Sequence, residues 1–194
     1  VLYNTVDASL WFIQALQQYY KTTNDYDFVE EMLPTVRSIV AGYRDGTSYE
    51  RFGSEQLIQM DPADGLIVAP AQSTWMDADP AGDGTTIVTP RNGKPVEINA
   101  LWYVALLSLA DWEDTDRSHE LHGLAHQVHR SFQEKFWNGA EGCLFDVIEG
   151  DPNGANIRPN QIVAISQGRD LLTLEQQIQV LDRVFTMKGI FKII

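Results

Sequence analysis

Apolar residues recur at three- and four-residue steps through most of the chain, the period of helices that bury one face. The first run carries Val6, Leu10, Ile13, Leu16 and Tyr20, with Asn4 and Thr5 in front of it as caps. Trp11, Phe12 and Tyr19 widen its greasy face, so this helix is expected to be buried on more than one side. A second run starts at Asn24-Asp25, places Phe28, Met32, Val36, Ile39, Val40 and Tyr43 on one face, and stops at Asp45-Gly46. Pro34 is expected to bend or restart it. Further helices are predicted over 95–112 and 116–137, with a short one opened by Pro159. The last follows Thr173 and carries Leu174, Ile178, Leu181 and Phe185. Residues 142–148 read as a strand or hairpin arm and 66–68 as a short extended run, while 47–57 show no clear period. Helices in pairs, joined by polar loops, predict an all-α fold of helical hairpins, a toroid or solenoid, rather than an α/β sheet. No fixed-period repeat points to a consensus repeat array.

Composition narrows the partners. The chain has 194 residues, enough for one domain with a sizeable core. Its 14 bases against 27 acids give a formal charge of −13, which repels nucleic acid and anionic membranes and leaves a neutral ligand open. No apolar run approaches the ~18 residues of a membrane helix. The single cysteine, Cys143, allows no intrachain disulfide, fits a reducing cytosol, and reads as a buried structural thiol. The four histidines, His119, His122, His126 and His129, form a stripe on one predicted helix. His122 and His126 have metal-ligand spacing, but the stripe lies off the apolar face and reads better as a solvated flank, so no metal is expected. Glycine-rich phosphate loops and nucleophile elbows are missing from the sequence, and no cofactor is expected.

Candidate chemistry concentrates in residues 73–103. Trp75 and Asp77 lead into a loop of Asp, Gly and Thr, followed by the charged turn Arg91-Asn92-Gly93-Lys94. Pro95 then opens an aromatic helix bearing Glu97, Asn99, Trp102 and Tyr103. Acids, amides, bases and flat aromatic faces at a helix mouth are the residue types that grip a polyhydroxyl ligand. Asp77, beside the Trp75 ring and at a loop edge, suits a general acid, although a turn-forming Asp explains it equally well. Asp7 and Glu97 each sit where a helix dipole already favours a carboxylate. Amides such as Asn99 and Asn160 are common caps, and Trp75, Trp102 and Tyr103 fit either a sugar face or a core. Glycoside hydrolysis needs a second carboxyl roughly 5–5.5 Å from the first for retention or ~6.5–9.5 Å for inversion. Asp7, Asp61, Asp64 and Glu97 are the partners on offer for Asp77.

Four blocks carry a resemblance: Asn4-Thr5-Val6-Asp7-Ala8-Ser9-Leu10-Trp11-Phe12, Thr74-Trp75-Met76-Asp77-Ala78, the run from Pro90 to Tyr103, and Arg158-Pro159-Asn160-Gln161. Their content and order resemble the C-terminal amylo-α-1,6-glucosidase domain of glycogen debranching enzymes. The resemblance implies part of an (α/α)6 toroid, with a small β-hairpin and extended loops at the pocket end. It implies inverting hydrolysis of α-1,6-linked glucosyl stubs on glycogen or branched α-glucan, in the cytoplasm. Asp77 matches the family's general acid, and Asp7 a carboxylate that holds glucose hydroxyls. Trp75, Arg91, Lys94, Glu97, Asn99, Trp102, Arg158 and Asn160 are implied to line the pocket. The family's base is a glutamate in a later segment, so residues 1–194 are expected to be a partial domain truncated at both ends. A partial toroid is expected to expose apolar helix faces and to pair with a second copy through them.

Overall fold

A computed structural model describes residues 5–51, 53–76, 78–84 and 87–186. It is mostly helical, in the order α1 (Ala8–Thr23), α2 (Tyr26–Asp45), α3 (Val96–Trp112), α4 (Thr115–Phe136), α5 (Gln161–Ser166) and α6 (Leu174–Thr186). Short strands interrupt the array: β1 (Thr47–Arg51), β2 (Ser54–Met60), β3 (Ile67–Val68), β4 (Lys94–Pro95), β5 (Trp137–Asn138), β6 (Cys143–Leu144) and β7 (Val147–Ile148). The first three form an antiparallel meander; β4 pairs with β7 and β5 with β6, both antiparallel.

Helix α3 is the inner element. It buries nearly its whole circumference and packs against α1, α2, α4 and α5. The sequence expectation gave that place to the first helix, but α1 exposes Trp11, Phe12 and Tyr19 and buries only the Leu10, Ile13, Gln14, Leu16, Gln17 side. The difference lies in residue size. Ala100, Ala105, Ser108 and Ala110 let α3 be approached from several directions, whereas α1 carries large aromatics that stay more than a third exposed.

Pro34 does not restart α2, which runs unbroken from Tyr26 to Asp45. The carbonyl it leaves without a partner belongs to Glu30, on an exposed face where water can serve it. Pro95 sits one position ahead of its predicted place: it is the extended residue before α3 and pairs with Val147 in β7. Helix α6 reverses its expected face. Val180 and Val184 are buried, while Leu174, Ile178 and Phe185 are exposed. Cys143 is buried as expected, and burial pushes its thiol up from the ordinary range.

Candidate active site

Three helix N-termini converge on one segment, residues 72–76. Val6, ahead of α1, donates its N–H to Ser73 O at 2.7 Å. The turn before α3 reaches the segment through Arg91, whose Nη1 donates to Thr74 Oγ1 at 2.9 Å. The front of α5 reaches it through Asn160, whose Nδ2 lies 3.4 Å from Met76 Sδ. Gln72 N also donates to Pro90 O at 2.8 Å.

Asp77, the expected acid, lies outside the described residues. Its neighbours are held: Thr89 Oγ1 donates to Met76 O at 3.0 Å, and Val88 N to Ala78 O at 3.1 Å. Trp75 is 56% exposed, so its ring is open to a ligand. Asp7 occupies the position before α1 but makes no capping bond to that helix; its carboxylate accepts from the Thr5 hydroxyl.

Of the other expected site residues, Arg158 keeps partial exposure and the rest are buried beneath this surface. Arg91 is fully buried in a left-handed backbone conformation (φ 52°). Its guanidinium grips Glu97 with Nη1 and Nη2 (2.5 and 2.6 Å) and Asp146 with Nε and Nη2 (2.8 and 3.1 Å). Arg158 Nη1 donates to Asp146 Oδ2 at 2.6 Å, and Asn160 Nδ2 to Asp146 Oδ1 at 2.7 Å. Two guanidiniums thus balance two carboxylates in a buried network. Burial is the largest influence on both Glu97 and Arg91, pushing the carboxyl up and the guanidinium down. For Arg91 the bonds to Glu97 win and the net direction is up, whereas Glu97 stays above its usual range. The bidentate geometry and the inability of arginine to deprotonate near neutrality favour the charged pair.

Lys94 belongs to a second cluster. Its Nζ donates to Asp61 at 2.9 Å, to Asp64 at 2.7 Å, and to Glu149. Lys135 Nζ meets Asp64 at 2.5 Å and Glu149 at 2.7 Å. Asp61, Asp64 and Glu149 have oxygens within 4.8 Å of one another and could group around a cation, but two ammoniums already stand among them and offset two of the three charges. Asn99 ties α3 to β3, accepting from Ile67 N at 2.6 Å and donating to Ile67 O and Pro95 O. Trp102 is 0% exposed; its Nε1 donates to Gly65 O at 3.0 Å and its ring lies against Tyr43. Tyr103 is buried and donates its hydroxyl to Asp170 at 2.7 Å. The histidine stripe lies on the outer side of α4, where His122 and His126 line a separate cleft of about 290 Å³ with Tyr103, Arg169 and Asp170.

A family model described as Amylo-alpha-1,6-glucosidase matches residues 1–188. The chain belongs to the amylo-alpha-1,6-glucosidase family. Comparisons with curated proteins and with solved structures return no match. Membership makes the chain a member of a glycogen-debranching, glycoside-hydrolase-like family. No described helix is long and apolar enough to cross a membrane.

Within this family member, the hub of the buried network is a residue that sequence reasoning passed over. Asp146 sits in Leu144-Phe145-Asp146-Val147, a lone acid in an apolar hairpin arm, and that was the available signal. A carboxylate between residues destined for burial needs donors. Four arrive, from Arg91 twice, Arg158 and Asn160. Thr74 has no site role in the sequence reading, yet its hydroxyl joins the loop to Arg91. Gly93 holds the turn in a conformation a side chain would strain (φ 115°), and a Cβ there would stand 2.6 Å from Ile148 O.

Proposed function

We propose that this chain forms part of an (α/α)6 toroidal domain, partial across residues 1–194, that acts in the cytoplasm on glycogen or branched α-glucan. The reaction is hydrolysis of α-1,6-linked glucosyl stubs by inversion, with Asp77 as general acid. The observation that carries this reading is the pair of bonds Thr74–Arg91 and Asn160–Met76. They tie the loop bearing Trp75 and Asp77 to the mouths of α3 and α5. The exposed Trp75 ring supplies a stacking face for a pyranose, and Asp7, Arg158 and Asn160 supply acceptors and donors for its hydroxyls. Asn160 Oδ1 is buried and without a hydrogen-bond partner among the described residues, an acceptor suited to a sugar O–H. Arg91, Lys94, Glu97, Asn99 and Trp102 support that wall from behind rather than touching sugar.

The test is glucose release from a phosphorylase limit dextrin by the full natural protein carrying these residues. Asp77→Asn should abolish release and leave glucan binding intact; activity surviving in that variant removes Asp77 from its role. A second reading is a glucan-binding module without turnover. It is favoured by the engagement of Glu97 and Asp146 with Arg91, which makes neither available as a base. Calorimetry with maltooligosaccharides beside the hydrolysis assay separates the two. A helical-hairpin scaffold for protein partners predicts no sugar affinity at all.

A further inference from the structure

We infer that Asp146 is a positioning residue for carbohydrate: it aims Arg158 and Asn160 at the ligand and locks both to the Trp75 loop. The inference rests on the glucan reading of the site and adds to it the residue that sets the site's geometry. Each oxygen of the Asp146 carboxylate has two tasks. Oδ2 accepts from Arg91 Nε at 2.8 Å and from Arg158 Nη1 at 2.6 Å. Oδ1 accepts from Asn160 Nδ2 at 2.7 Å and from Arg91 Nη2 at 3.1 Å. Of these partners, Arg91 is sealed inside, whereas the Arg158 side chain keeps partial exposure. Asp146 therefore couples an immobile inner cation to an outer one.

The same carboxylate orients Asn160. By holding Nδ2, it fixes which way the amide faces and leaves Oδ1 buried and unpaired, an acceptor whose demand a ligand hydroxyl would meet. Nδ2 also touches Met76 Sδ, so the amide is registered against the residue preceding Asp77. Without the Asp146 charge, Arg158 loses its anchor and Asn160 can turn over, exchanging acceptor for donor. Ligand recognition is lost through those two residues and not through the carboxylate itself, which is buried and spent on its protein donors.

The experiment is a double-mutant cycle on panose affinity, read by calorimetry, with Asp146→Asn, Arg158→Met and the pair. Side-chain NMR signals of Arg158 and Asn160 are recorded without ligand, and near-UV circular dichroism checks the fold. Asp146→Asn is expected to weaken panose by about tenfold in the wild-type background and by about threefold once Arg158 is Met, the remainder passing through Asn160. It should also set the Arg158 guanidinium rotating freely while the fold signal is retained. Equal losses in both backgrounds, or an Arg158 that stays ordered in the variant, overturn the inference. If the wild-type protein ignores panose, the glucan reading falls, and the ligand-free NMR signals still decide whether Asp146 positions the pair. Should Asp146→Asn fail to fold, Asp146→Glu keeps the charge but displaces it by one methylene from Arg158 and Asn160. That change is expected to shift the Arg158 signals and weaken panose severalfold; unchanged Arg158 signals and affinity overturn the inference.

Discussion

All three guanidinium nitrogens of Arg91 end on protein acceptors: Glu97, Asp146 and Thr74. Removing the side chain strands two buried carboxylates, so Arg91→Met is expected to lower unfolding stability by about 3–5 kcal/mol in urea titrations. Arg91→Lys should recover little, because one ammonium cannot span two bidentate partners. Two tryptophans give a sharper contrast. Trp102→Ala is expected to cost about 3–5 kcal/mol, whereas Trp75→Ala changes stability by no more than about 0.5 kcal/mol. On glucan affinity, Trp75→Ala should cost roughly fivefold, the loss of one stacking face. Sequence alone could not separate these two rings. Both stand near the same charged turn; what divides them is that α3 is enclosed on every side, while residue 75 sits in a loop. The Arg91 guanidinium was visible as chemistry but not as interior, because its Asp146 partner arrives from 55 residues away.

At the scale of elements, Lys94 and Lys135 join the Asp61–Asp64 turn, β4, α4 and the corner after β7. The bond from Lys94 holds Asp61 below the usual carboxylate range, and that from Lys135 does the same for Glu149. Burial, the largest influence on Asp64, pushes up, but the two lysines outweigh it. Carboxylates lowered by folding stabilise the protein above their unfolded values of about 4, and that contribution is lost as pH falls through the lower folded values. Lys94 moves the other way: burial pushes it down, its three carboxylates carry it up. Its contribution is present below about 10.4 and lost as pH rises through the higher folded value. Thermal midpoints should therefore fall in strong acid and in strong alkali, and Lys94→Met should flatten both arms; parallel curves for the two proteins contradict this. The start of α2 was legible because cap and spacing agree at Asp25, which accepts from Phe28 N at 3.1 Å, whereas α1 begins after Asp7 rather than at the expected caps Asn4 and Thr5. The hairpin of β1 and β2 was not: its burial alternates, but Arg51 and Gln56 take inward positions while Leu57 points outward, so the sequence shows no alternation. Helix α6 offered two apolar stripes, and only tertiary contact with β6 and α5 selects Val180 and Val184.

For the whole molecule, the expectation of helical hairpins gives a mostly helical protein, and the apolar surface is uneven. Leu174 is 73% exposed, with Ile178 and Phe185 beside it on α6, and Trp11, Phe12 and Tyr19 line α1. We propose that such faces draw two copies together. Ile178→Glu is expected to shift sedimentation toward monomer at concentrations where the wild type associates, and a wild type that stays monomeric contradicts pairing. The central claim is narrower: the loop around Trp75 and the mouth of α5 form one sugar pocket. Its most direct measurement is a calorimetric titration of panose into the wild type, Trp75→Ala and Arg158→Met. Saturable binding that each substitution weakens roughly fivefold or more is the expected result. An absence of binding, or an affinity that neither substitution alters, contradicts it.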